Sequence, residues 1–123
     1  MTNDTEIKWL CDLEAQDYSA AGSYLSLLCD DAVAAKYVEH LRKASMAKFK
    51  AKDILRASGL SLLGISNSHV EHDREKVLAG RSLSPLLLVR STNNQKVIIA
   101  DGYHRMCAVH SFSEDALIPC KIV

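Results

Sequence analysis

At 123 residues the chain is long enough for one domain with its own core and too short for two independent ones. Basic and acidic residues balance at 15 each, which argues against broad electrostatic binding to nucleic acid or to an anionic membrane. No apolar run approaches the ~20 residues of a bilayer span, and the start, Met1-Thr2-Asn3-Asp4-Thr5-Glu6, is polar and acidic rather than signal-like. The expectation is a cytoplasmic protein with no membrane contact. Cys11, Cys29, Cys107 and Cys120 form no Cys-x-x-Cys pair, so reduced and mostly buried thiols are expected.

The first half of the chain has helical periodicity, from about Asp4 to Ala47. Trp9, Leu10 and Leu13 begin it, and Ala21, Tyr24, Leu25 and Leu28 recur at i, i+3, i+4, i+7 after a cap at Asp17 or Ser19. Asp30-Asp31 can cap a second helix carrying Ala34, Tyr37, Val38 and Leu41, with Arg42 and Lys43 in its last turn. This predicts a helical hairpin over residues 1–47. Trp9, Tyr24 and Tyr37 read as packing side chains.

The second half changes period. Lys48 to Leu55 is partly alternating and predicts a strand running into a turn; Lys48, Lys50 and Lys52 would share one face, either lining a groove or discouraging edge pairing. Ser58 to Gly64 reads as an irregular loop able to close over a ligand. Val70 to Ala79 predicts a helix ended by Gly80, and Leu83 to Arg90 a strand that tolerates Pro85 near its start. A polar turn over Ser91 to Gln95 leads to a strand from Lys96 to Ala100. A helix over Met106 to Phe112 and a strand over Ile118 to Val123 follow.

Between that strand and that helix stands Asp101-Gly102-Tyr103-His104-Arg105. A glycine turn opening a helix leaves backbone N–H groups unpaired and aimed at one spot, where the helix dipole adds positive character. With His104 and Arg105 beside it, the turn predicts an anion site, most naturally for phosphate. His104 either bonds phosphate or moves a proton, or else caps local backbone. Asp101 either accepts a proton or positions a metal-bound phosphate, or merely caps the helix. His69, His72 and Asp73 share a helical face, but their spacing lacks the His-Glu-x-x-His pattern, and a solvated helix start is favoured over a metal.

The order strand, loop, helix, Leu83-Ser84-Pro85-Leu86-Leu87-Leu88-Val89, hairpin, strand, Asp-Gly-Tyr-His-Arg, helix, Ile-Pro-Cys-Lys-Ile-Val resembles the ParB/sulfiredoxin-like superfamily over roughly Phe49 to Val123. Gly102-Tyr103-His104-Arg105 is similar to the Gly-Cys-His-Arg turn of sulfiredoxin. Tyr103 stands where that family has its reactive cysteine, so sulfinic acid repair is not expected. The resemblance implies a nucleotide-phosphate site at Gly102, Tyr103, His104 and Arg105, with Lys76 as a second cation. It also implies Asp53 as an acid–base candidate beside Asp101 and His104. Partition proteins of this superfamily continue into a helix-turn-helix domain that does not follow here, so partition-site recognition is not expected.

The resulting expectation is an α+β fold: a compact mixed sheet of the ParB/sulfiredoxin type over residues 48–123, preceded by the helical hairpin. The expected function is binding of a nucleoside triphosphate or diphosphate, ATP foremost and with Mg²⁺, coupled to phosphoanhydride hydrolysis or phosphoryl transfer to a small molecule. The alternative is a non-catalytic module for nucleic acid or a protein partner, or a nuclease.

Overall fold

Leu86-Leu87-Leu88-Val89 is apolar at every position, whereas a strand with one wet face alternates. A strand of this kind needs cover on both sides. In the computed structural model, which describes residues 5–91 and 93–123, the run forms β2 (Leu86–Ser91) inside a four-stranded sheet, and all four residues are buried. The polar start at Met1 to Asp4, and Thr92 of the hairpin turn, lie outside the described residues.

The sheet is mixed. With β1 (Ala47–Lys50), β3 (Lys96–Asp101) and β4 (Leu117–Ile122), the spatial order is β1-β4-β2-β3. β1 runs antiparallel to β4 and β3 antiparallel to β2, while β2 and β4 are parallel. Helices cover both faces. On one lie α1 (Ala15–Leu28) and α2 (Asp31–Lys43), where Tyr18, Ala21, Leu25, Ala34 and Leu41 meet Leu87, Val89 and Ala100. On the other lie α3 (Ala51–Ser58), α4 (Ser68–Leu78) and α5 (Tyr103–Phe112). There Ile54, Val70, Val77, Met106 and Val109 pack on Leu86, Leu88, Ile99 and Ile118. Alternate residues of β2 thus serve two cores, each buried leucine contributing about 1.5–3 kcal/mol. The α+β expectation holds, with N-terminal helices packed on the sheet. The helical periodicity expected from Asp4 is corrected: the helices begin at Ala15, and Trp9 instead bridges to Leu83, with Leu10 and Lys8 bonding the Leu83 backbone.

Local chemistry explains where elements begin. Asp30 caps α2 by accepting from the Val33 amide at 2.9 Å, and Asn67 caps α4 by accepting from His69 and Val70. α1 starts earlier than the predicted cap at Asp17 or Ser19. Glu14 is the cap residue, and Asp17 closes a capping box by accepting from the Glu14 amide at 2.8 Å.

The strand predicted over Lys48 to Leu55 is corrected. It ends at Lys50, and α3 follows because Ala51, Ile54 and Ser58 bury one helical face before Gly59 ends the helix in the left-handed region. Lys52 therefore lies on a helix, and Lys50 and Lys52 reach Asp115 at 3.8 and 2.8 Å. Cys107 and Cys120 are buried, Cys29 is partly buried and Cys11 is exposed; all four are free thiols. No described helix is long and apolar enough to cross a membrane.

Candidate functional site

β3 ends at Asp101 and α5 begins at Tyr103, so Gly102 alone reverses the chain. Its φ of +107° lies where side chains are strained, and an added Cβ would stand 2.7 Å from the Leu86 Cγ. A register shift between Leu87 and Leu88 leaves Ala100 as an extra residue just before the turn, an irregularity that re-aims side chains at a strand end. No side-chain hydrogen bond caps the first amides of α5.

The Nε of Arg105 donates to the Ser84 carbonyl at 2.9 Å, and one Nη donates to the Pro85 carbonyl and to Asp101 Oδ2, each at 3.0 Å. The same Nη lies 3.8 Å from Asp17 Oδ1. Arg105 nonetheless lines the α4-side cleft together with His104, its Nε and one Nη held by these partners. The guanidinium points inward, where two carbonyls left unpaired ahead of β2 and two carboxylates hold it.

Asp17, read from sequence only as a cap, emerges as the partner of this cluster. Burial pushes the Asp101 carboxyl up to about 6; Arg105 opposes the shift and the neighbouring Asp17 carboxyl adds to it. A carboxyl that changes charge near neutrality, set at the rim of a cleft, is the kind of group that general acid–base chemistry requires.

The cleft on the α4 side has a volume of about 160 Å³. The His69, His72 and Asp73 side chains enter it from α4, at i, i+3 and i+4, and face Asp101 and His104. The His69 and His104 ring centroids are 4.8 Å apart. Burial first, and then the charge of His69, hold His104 below its ordinary value, with Asp73 opposing. A neutral His104 offers one N–H donor and one acceptor. On the far side of the turn, the Tyr103 hydroxyl donates to the Ser61 carbonyl and ties the loop after α3 to the site.

Two predicted members lie elsewhere. Lys76, one turn beyond His72, lines an adjoining depression with Glu75 and Arg81, which shares His72 with the cleft. Asp53 lines another cavity with Phe49, Leu88 and Arg90, because the helical turn of α3 carries it away from Asp101. Arg74 also turns away, its guanidinium bonding Ser111 and stacking over Phe112 at 4.5 Å. The turn thus gathers Asp101, Gly102, Tyr103, His104 and Arg105 with His69, His72 and Asp73, and leaves out Asp53 and Lys76. No family model, curated protein or solved structure matches this chain.

Proposed function

We propose that the chain binds the phosphates of a nucleotide, ATP foremost, against the start of α5, and that Asp101 promotes transfer of a phosphoryl group to a small molecule or hydrolysis of the phosphoanhydride. The observation that supports this reading is a carboxyl raised to about 6 in one cleft with the start of α5, which no side chain caps, and the imidazoles of His69, His72 and His104. Phosphoryl transfer asks the protein mainly for positioning and charge stabilisation. The amides of Tyr103 and His104 would donate to phosphate oxygens, and His104 and His69 would bond them beside Arg105. Arg105 holds Asp101 in position.

Mg²⁺ is held by one or two carboxylates together with substrate phosphates. Asp73 lines the cleft, and one carboxylate completed by substrate phosphates fits the ion, which would supply charge neutralisation on the phosphates and leave Asp101 free as the base. Among the described residues no group of three His, Cys, Asp or Glu stands ready to hold a metal without such a substrate.

The test is a thermal-shift screen against ATP, ADP, CTP and GTP with and without Mg²⁺. A nucleotide at ~100 times its dissociation constant adds about 2.7 kcal/mol of stability. Wild type and Asp101→Asn are both expected to be stabilised, and only wild type to release diphosphate. If no nucleotide stabilises the protein, the reading fails and the interaction-module alternative takes its place.

A further inference from the structure

The turn has two sides. Opposite the histidine cleft lies a larger cavity of about 470 Å³, walled by Ala20 and Tyr24 of α1, Leu60 of the loop after α3, and Ile99 and Ala100 at the edge of β3. Its inner wall is the same Asp101-Gly102-Tyr103-His104 segment that lines the histidine cleft. The two spaces differ in chemistry. One is lined by imidazoles and carboxylates, the other chiefly by aliphatic carbon and a tyrosine ring. Tyr24 and Leu60 are both more than two-fifths exposed, so the larger cavity is entered from solvent.

We propose that the α1-side cavity is the seat of the phosphoryl acceptor, a neutral alcohol with an apolar body, and that the N-terminal helices are part of the site. This rests on the phosphoryl-transfer reading above. A transfer reaction needs two reactants side by side with a base between them, and Asp101 is the carboxyl that borders both spaces. The apolar body would lie against Tyr24, Leu60 and Ile99, on the part of the wall away from Asp101 and His104 that carries no charged side chain. The hydroxyl would point at Asp101.

In the step that follows, the acceptor oxygen forms the new bond to the terminal phosphorus of the nucleoside triphosphate. The bond from that phosphorus to the bridging oxygen breaks, and the nucleoside diphosphate leaves with the electron pair. The hydroxyl proton passes to the Asp101 carboxylate. Such pockets are mainly apolar with a few convergent polar groups, as here.

The experiment is a pair of ¹H–¹⁵N NMR titrations of the full chain, one with 2-phenylethanol and one with pyrophosphate. The alcohol is expected to move the amides of Tyr24, Ile99 and Ala100, and pyrophosphate those of Tyr103 and His104. Ala20→Trp, at an exposed helix position, fills the cavity, and Leu60→Asp makes its wall polar; each is expected to weaken the alcohol at least about tenfold. Both variants are checked for a wild-type spectrum outside the cavity. Alcohol binding that survives in either folded variant overturns the assignment. Absence of alcohol binding while pyrophosphate still moves the turn overturns the acceptor cavity alone. Absence of any pyrophosphate response overturns the phosphoryl-transfer reading on which it rests.

Discussion

Arg105 donates to Asp101 across 3.0 Å, one helical turn away in sequence, and this pair joins the end of β3 to α5. Asp17 stands on its other side, so the guanidinium also connects α1 to the core. All three side chains are less than a fifth exposed, which makes each charge dependent on the other two.

Arg105→Ala should therefore be costly to stability before it says anything about ligand. Removing the cation leaves two carboxylates and the Ser84 and Pro85 carbonyls without their partner, and breaking a buried pair costs about 3–5 kcal/mol. Arg105→Lys should recover little, because a single ammonium cannot reproduce the fork of donors. Urea denaturation of the three proteins reads this directly.

Asp101 sets a pH dependence of known sign. Its ordinary value is 3.8 and its folded value about 6, so the folded chain takes up this proton more readily than the unfolded chain. Its contribution is fully present below about 4 and is lost as pH rises through about 6. Asp101→Asn should remove that slope, so the melting temperature of wild type minus that of the variant should fall between pH 4 and pH 6.5 by a few degrees. A flat difference would mean that the carboxyl titrates normally. The same value predicts that turnover, if Asp101 is the base, rises with pH through about 6.

Gly102→Ala should destabilise the turn. A left-handed φ alone costs roughly 1–3 kcal/mol for a side-chain-bearing residue, and the added carbon would also press on the Leu86 side chain in the core. The melting temperature should drop clearly, whereas Gly64→Ala, with nothing near its added carbon, should leave it close to wild type.

Lys121 fastens the helical hairpin from the opposite side. Buried on β4, its ammonium donates to the Tyr18 hydroxyl of α1 and to the Arg42 carbonyl near the end of α2, each at 3.0 Å. Burial works against its charge, yet its bonds to Tyr18 and the charge of Asp12 hold its pKa above the ordinary lysine value. Lys121→Met keeps the bulk and strands those two groups, at about 1–3 kcal/mol for an unsatisfied buried partner. Hydrogen exchange should then speed up at the end of α2 and in α1 more than in α5.

The sequence made the turn visible, because a glycine between a β-branched strand and an apolar helix has one geometry open to it. The apolar run from Leu83 to Arg90 was equally legible as a strand, while the burial of both its faces depends on helices from distant parts of the chain. The partners that hold Arg105, namely Ser84, Pro85 and Asp17, were not legible because they come from segments that meet it only in the folded state. Asp53 and Lys76 were misplaced by phase. The strand expected to run from Lys48 toward Leu55 stops at Lys50, and the α4 face toward the turn carries His69, His72 and Asp73 but not the residue one turn on. Lys121 offered only the signal of a charge inside an apolar terminal strand, and what satisfied it was contributed by two helices far away in the chain.

The most direct test of the central idea is calorimetric titration of Mg²⁺–ATP into wild type, His104→Ala and Asp101→Asn at pH 7.5. The account predicts binding to wild type and to Asp101→Asn, weakened at least about tenfold in His104→Ala, where one hydrogen bond to a charged phosphate is removed. Equal affinity in wild type and His104→Ala would place the nucleotide away from the start of α5 and contradict it.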